Sequence, residues 1–219
     1  MTTPQIVAIV GGTGAAGYGL ALRLATAGLE VIIGSRDVEK AQRTATHAGL
    51  PNLRGMSNKE AAAAGSIVFL TVPFEAHVGT IKSIASVLDN KVLVDVTVPL
   101  ATAVGGRPTR ILGVWQGSAA EQARELAPKT AAVVASFHHV SSAALRQIGK
   151  PLDCDILFCG DSDQAKEQLS ELIRKIPGAR PVNAGPLENA RTLEAMTALL
   201  IHINRIYKGH TAGIRITGI

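Results

Sequence analysis

Aromatic residues are scarce in this sequence: four Phe, two Tyr and one Trp in 219 residues, or 3%. Hydrophobic residues nevertheless make up 47% of the chain. Its core must therefore be filled by Ala, Val, Ile and Leu, the habit of parallel sheets covered on both faces. Cysteine is nearly absent, which excludes a disulfide scaffold. The two that occur, Cys154 and Cys159, fall in a strand-like segment at an odd spacing that puts them on opposite faces. They read as buried thiols. No apolar run reaches the ~18 residues of a membrane span. Met1 to Gln5 lack the charged start and cleavage site of a signal peptide, so a cytoplasmic protein is expected. Charge of one sign is not concentrated either. The net charge of +5 is scattered, with no basic run interleaved with aromatics, which argues against nucleic acid. A mild positive excess suits polyanionic small molecules.

What is present is an alternation. Strands are expected at Gln5–Val10, Glu30–Ile33, Ile67–Thr71, Lys91–Val96, Ala131–Phe137 and Cys154–Cys159. Helices are expected at Gly17–Ala27, Val38–Ala48, a short stretch closing at Ala61–Ala64, Val78–Leu88, Ser118 to about Leu126, Asp161 to Ile176, and Asn189–Tyr207. Ser118 with Glu121 has the spacing of a capping box. Residues 97–117, rich in Gly and Pro, read as an irregular stretch near a site. The pattern is α/β: a Rossmann-type doubly wound parallel sheet with a small α+β C-terminal domain. The division expected is 1–140 for a nucleotide-binding domain and 141–219 for a small substrate and dimerisation domain. The apolar breadth of Asn189–Tyr207 points to a buried or inter-subunit helix.

Gly12-Thr13-Gly14-Ala15-Ala16-Gly17 follows a strand and opens a helix, the context that gives a glycine loop its meaning. Gly12 permits the tight turn, Gly14 the approach of a diphosphate, and Gly17 close packing of helix on strand. Free N–H groups and the helix dipole then hold the phosphates. At the next strand end stand Gly34-Ser35-Arg36. An acid there would bond a ribose 2′-hydroxyl. A hydroxyl and a guanidinium suit a 2′-phosphate, with Lys40 one turn on and Asp37 as a helix cap. The dinucleotide expected is NADP. Thr71-Val72-Pro73-Phe74 and Thr97-Val98-Pro99 lie past later strands, where ligands of open α/β sheets bind. Thr71, Val72, Pro73, His77 and Val98 are taken with the NADP contacts. His77 and Glu75 read more readily as first-turn residues than as catalysts. His138 and His139, with Pro99, are the candidates for a substrate pocket. The histidines would donate hydrogen bonds to a carbonyl or phosphate, or bind a metal, for which no third ligand has a fitting spacing. No proton-transfer set such as Ser-Tyr-x-x-x-Lys is found. This leans toward hydride passing between two redox cofactors by alignment, with no catalytic side chain.

Gly11-Gly12-Thr13-Gly14 with Gly17, Gly34-Ser35-Arg36 and Leu70-Thr71-Val72-Pro73-Phe74-Glu75 together resemble the NADPH-dependent reductases of the deazaflavin coenzyme F420. So do Ser118-Ala119-Ala120-Glu121, Cys159-Gly160-Asp161 and Ala184-Gly185-Pro186-Leu187-Glu188-Asn189-Ala190-Arg191, then Glu194, Leu199-Leu200, Asn204 and the tail from His210 to Ile216. The resemblance implies reversible hydride transfer between NADP and F420, a homodimer paired through the C-terminal part, and NADP contacts at Thr13, Gly14, Ser35, Arg36 and Pro73. It implies His138 in the deazaflavin pocket. Where the family carries Thr-x-Pro after that histidine, this chain has His139-Val140-Ser141. The change alters the loop's rigidity and admits a flavin, a ferric chelate or another small acceptor, or a non-enzymatic NADP-binding protein, as alternatives.

Overall fold

The structure, a computed structural model, describes residues 5–219. The signal-peptide reading of Met1 to Gln5 therefore lies almost wholly outside the described residues. Among the described residues, eight strands and eight α-helices alternate. They are β1 (Ile6–Val10), α1 (Ala15–Thr26), β2 (Glu30–Ser35), α2 (Val38–Ala48), β3 (Leu53–Ser57), α3 (Asn58–Ala64), β4 (Ile67–Leu70) and α4 (Phe74–Ile84). There follow β5 (Val92–Asp95), α5 (Ala119–Leu126), β6 (Ala132–Ser136), α6 (Ser142–Arg146), β7 (Cys154–Gly160), α7 (Asp163–Arg174), β8 (Ala179–Asn183) and α8 (Ala190–Ile206). All eight strands form one sheet in the order β3-β2-β1-β4-β5-β6-β7-β8. Neighbours are parallel except β6 and β7, which run antiparallel. The sheet passes residue 140 unbroken. The reversal at β7 brings its first residues back to the edge where β6 ends.

Two apolar layers cover the faces. One packs α1, α2, α6 and α7 on Val7, Ile9, Ile156 and Phe158. The other packs α3, α4, α5 and α8 on Ala8, Val10, Leu157 and Cys159. Alternation along each strand sends successive residues to opposite layers. Cys154 and Cys159 accordingly lie in different layers, both unpaired, and burial pushes their thiols up to about 11 and about 12.

Two strands were not expected, β3 and β8, and both are sheet edges. Leu53-Arg54-Gly55-Met56-Ser57 is polar and broken by glycine; β8 carries Pro181. Edge strands are kept short and irregular because their outer N–H and C=O groups are unpaired. Gly55 is needed because a Cβ there would lie 2.3 Å from the Ala41 carbonyl carbon. α4 begins four residues before the expected start, capped at Pro73. The expected Ser118 box is half formed: Ser118 Oγ accepts from Glu121 N–H, but the Glu121 carboxylate is taken by the Ser118 hydroxyl and by Arg191. A reciprocal box does occur at Ser57 and Glu60.

Candidate functional site

The carboxyl ends of β1, β2, β4, β5 and β6 open on two cavities. The first, about 340 Å³, is lined by Gly11, Thr13, Gly14, Ser35, Arg36, Asp37, Lys40, Asn58, Thr71, Val72, Pro73, Ala76 and Thr80. Its floor is the glycine loop. Gly11 adopts φ +75°, and Gly12 donates to the Ile9 and Gly34 carbonyls at 3.0 Å. A Cβ on Gly17 would lie 2.4 Å from Thr71 Oγ1 and 2.8 Å from Gly12 Cα. Glycine there is a packing requirement. Gly14 differs: a Cβ would meet nothing nearer than the Gly11 carbonyl oxygen at 3.5 Å. The protein leaves that space at the mouth of α1, where a diphosphate approaching the backbone needs it.

Ser35 closes β2 and accepts from the Asp37 N–H at 3.1 Å; Asp37 caps α2 by accepting from Lys40 N–H at 2.9 Å. The Asp37 carboxylate is thus turned to its own helix. Among the described residues, no carboxylate pairs with Arg36 or Lys40. Two cations and a hydroxyl face this end of the cavity, a set fitted to an extra phosphate. Asn58, not anticipated, accepts from Gly11 N–H at 3.1 Å and holds the loop from the next helix. Ala15 belongs to neither cavity lining.

The second cavity, about 410 Å³, is apolar and lies on the other side of the α1 start. Ala16, expected with the dinucleotide, lines it, two residues past Gly14. One helical turn therefore serves both cavities. Val98 also lines the second cavity. Pro99 lines neither and instead holds the neighbouring hairpin, accepting from Leu112 N–H at 2.7 Å. The rest of the wall comes from Phe137–Ser142, from Thr197, Leu200, Ile201 and Asn204 of α8, and from His210 and Ala212 of the tail. The α8 residues fall on one face at helical spacing; an asparagine on an apolar helix was the available signal for them.

His138 and His139 line this cavity. Phe137, just before them, has φ +63°, a left-handed turn that non-glycine residues adopt at a cost of about 1–3 kcal/mol, and its ring packs edge-on against Phe69 at 5.8 Å. Burial lowers His138 to about 4, so its imidazole is neutral, and among the described residues neither ring nitrogen has a hydrogen-bond partner. His139 is lowered as well, chiefly by burial. Its Nε2 lies between main-chain groups of β7, 2.8 Å from the Asp155 carbonyl oxygen and 3.3 Å from the Leu157 nitrogen; the first contact calls for Nε2–H and the second for a bare Nε2.

His77 is not at the cavity. It is fully buried, with Nε2 2.6 Å from Asp95 Oδ2 and Nδ1 3.0 Å from Gln122 Oε1, and Phe74 stacks on its ring instead of on a ligand. Burial alone would lower its pKa; the Asp95 charge and the two bonds outweigh that and raise it. The pair anchors α4 to β5, whose Asp95 also accepts from Thr97 N–H at 2.8 Å.

Two further groups fix the second cavity from behind. Buried Arg23 of α1 donates to the carbonyls of Leu145, Lys150, Ala144 and Gln147 at 2.6–2.9 Å, holding α6 by its C-terminal end. Glu194 of α8 accepts from the Ala119 and Ala120 N–H groups at the start of α5, at 3.0 and 3.1 Å; burial pushes it up to about 8 despite those bonds. With the Arg191–Glu121 pair, this makes the Ser118–Glu121 and Arg191–Glu194 segments one contact.

A family model described as NADP oxidoreductase, coenzyme F420-dependent, matches residues 6–99. The F420-dependent NADP reductase of Methanothermobacter thermautotrophicus is 45% identical over 220 residues, 97% of this chain and 95% of that one. The chain belongs to this reductase family. The rat metalloreductase STEAP3 is 31% identical over 191 residues, 87% of this chain but only 36% of its own length. A solved structure of an Arthrobacter protein, described as an F420-dependent NADP reductase, superposes with a TM-score of 0.85 at 21% identity, covering 99% of this chain and all of that one. Membership places the glycine loop, the Ser35–Arg36 edge and both histidines within a scaffold shared over the whole chain. Among the described residues no helix is long and apolar enough to cross a membrane, and no three His, Cys, Asp or Glu cluster as metal ligands.

Proposed function

We propose that this chain transfers hydride between NADP(H) and the deazaflavin coenzyme F420. The observation that carries the reading is the pair of cavities joined at the first turn of α1. The name of the 45% identical relative supports the same pair of substrates. In this reading Gly12, Thr13, Gly14 and Gly17 form the diphosphate cradle, Ser35, Arg36 and Lys40 read the 2′-phosphate, and Thr71, Val72 and Pro73 bound the dinucleotide. Val98, His138 and His139 face the second ring system. Reduced nicotinamide supplies the hydride and the deazaflavin ring accepts it, with one proton taken up per turnover. The protein's part is to hold the two rings in register, exclude water with apolar walls and present a neutral imidazole. No side chain need carry the reacting electrons.

Residues 141–219 act in this proposal as the unit that closes the second cavity and pairs subunits in a homodimer. Leu199, Ile206 and Tyr207 of the α8 region are exposed apolar groups suited to that contact. The setting proposed is the cytoplasm. Mixing the pure protein with NADPH and oxidised F420 tests the function: the deazaflavin absorbance bleaches if the reading is right and persists at micromolar enzyme if it is wrong. A second reading, reduction of a ferric chelate or flavin, draws support from the match to the metalloreductase STEAP3 and from the His139-Val140-Ser141 loop, whose Ser141 hydroxyl caps α6. NADPH oxidation with ferric citrate or free flavin, in the absence of F420, would favour it.

A further inference from the structure

Beyond α8, residues 209–219 form neither helix nor strand, yet their path is fixed. Gly209 N–H donates to the Asn204 carbonyl at 2.8 Å, and Ala212 N–H to Asn204 Oδ1 at 3.1 Å. Ser141 Oγ donates to the His210 carbonyl at 2.6 Å. His210 and Ala212 then form part of the second cavity's wall.

Further along, everything converges on one carboxylate. Asp155, with no exposed surface, sits near the start of β7, which the antiparallel reversal brings to the cavity's end of the sheet. Its Oδ1 accepts from Arg180 Nε at 2.9 Å and Arg215 Nη1 at 3.0 Å; its Oδ2 accepts from Arg180 Nη2 and from Ile216 N–H, both at 2.6 Å. Arg180 also donates to the Ile216 carbonyl, and Asp155 N–H donates to the Ile214 carbonyl at 2.8 Å. The same residue's backbone carbonyl oxygen lies 2.8 Å from Nε2 of His139.

The β7–β8 ladder runs on backbone bonds from Cys154 to Phe158 and does not need this carboxylate. Burying a charge is costly unless it is fully paired. Here two of the four donors come from Arg180 of β8 and two, Arg215 Nη1 and Ile216 N–H, from the tail, so the charge ties residues 215–216 to the sheet just past His210 and Ala212. We infer that Asp155 is a positioning residue for the second substrate: its carboxylate clamps the C-terminal tail as a wall of the second cavity, while its carbonyl sets the His139 ring in that wall. This rests on the F420 reading of that cavity. It touches neither the glycine loop nor the Ser35–Lys40 edge.

The test uses the full chain with Asp155→Asn, which keeps the volume and removes the charge, and Arg215→Met, which breaks the clamp from the tail side. In Asp155→Asn the KM for F420 should rise about tenfold, kcat should fall less than about threefold and the NADPH Kd by calorimetry should stay within about twofold. Amide exchange at Ala212 and Ile216 should quicken while that of α1 stays put. Arg215→Met should raise the F420 KM in the same direction. The double variant should be no worse than the worse single one, because both act through one clamp. If Asp155→Asn fails to fold, Arg215→Met carries the test alone. An unchanged F420 KM in the folded variants, or NADPH and F420 weakened in step, overturns the inference. A wild-type protein inert toward F420 overturns the functional reading, and this inference with it.

Discussion

The two cavities are built in opposite ways. The dinucleotide cavity is made from short stretches, each at a strand's end and held mainly by bonds to nearby groups: Gly12 N–H on the Ile9 and Gly34 carbonyls, Asp37 N–H on the Ser35 hydroxyl, Lys40 N–H on the Asp37 carboxylate, with Asn58 as the long-range tie to Gly11. The second cavity is assembled from pieces as far apart in sequence as Ala16 and Ala212. Its walls hang on charged groups outside it: Arg23 behind α6, Glu194 behind α8, Asp155 behind the tail. A site of the first kind tolerates change elsewhere in the fold. A site of the second kind is lost when a distant clamp is cut. This separation also lets one scaffold keep its dinucleotide while the partner's pocket changes.

Cutting a clamp should give the largest effect. Arg23→Met leaves four buried or half-buried carbonyls without their donor and should lower stability by about 3 kcal/mol or more. A urea titration measures that loss. The F420 KM of the folded fraction should rise while the NADPH Kd holds; a matching loss of NADPH would mean the cavities are not independent. Arg36→Ala should act the other way round. It should weaken NADPH by about 1.5–3 kcal/mol and barely alter NADH, since only the former carries the 2′-phosphate. Equal losses in calorimetry would show that Arg36 does not read it.

A smaller effect sharpens the comparison through pH. Burial holds native His138 at about 4 against an ordinary 6.5. Between those values the unfolded chain binds a proton that the native state refuses. The stability this neutral histidine leaves intact above pH 6.5 is therefore lost as pH falls toward 4, at ~1.4 kcal/mol per pH unit. His138→Gln should make the acid limb of a urea-midpoint profile shallower by that amount; an unchanged limb would mean the ring is protonated or hydrated in the native protein. Ser141→Ala is the mildest. It removes the α6 cap and the bond to the His210 carbonyl and should cost about 1 kcal/mol. Its F420 KM should shift more than its NADPH KM.

Sequence legibility divides along the same line. The first cavity was largely readable because most of its residues fall in short runs just past strands, and glycine, serine and arginine each have one physical job there. Even so, Ala16 fell on the wrong side of the α1 start, and Asn58 was invisible because its role is to bond Gly11, 47 positions away. His77 looked like a site residue from its place after β4, but it points inward to Asp95, a partner that spacing alone does not reveal. The histidines after β6 were readable by position. The walls opposite them were not, because α8 and the tail are held there by long-range contacts, among them those of Glu194 and Asp155, buried acids that look like ordinary surface charges in sequence. The strands missed were the two edges, where polar residues, Gly55 and Pro181 interrupt the apolar pattern that marks inner strands.

The central claim is that the two cavities bring a nicotinamide and a deazaflavin face to face for direct transfer. NADPH carrying deuterium at the transferable position of its nicotinamide, mixed with oxidised F420 and enzyme in ordinary water, tests it in a single turnover. Direct transfer places the deuterium on the deazaflavin ring carbon that accepts hydride. Deuterium washed into solvent, or F420 left oxidised while NADPH is consumed, would contradict it.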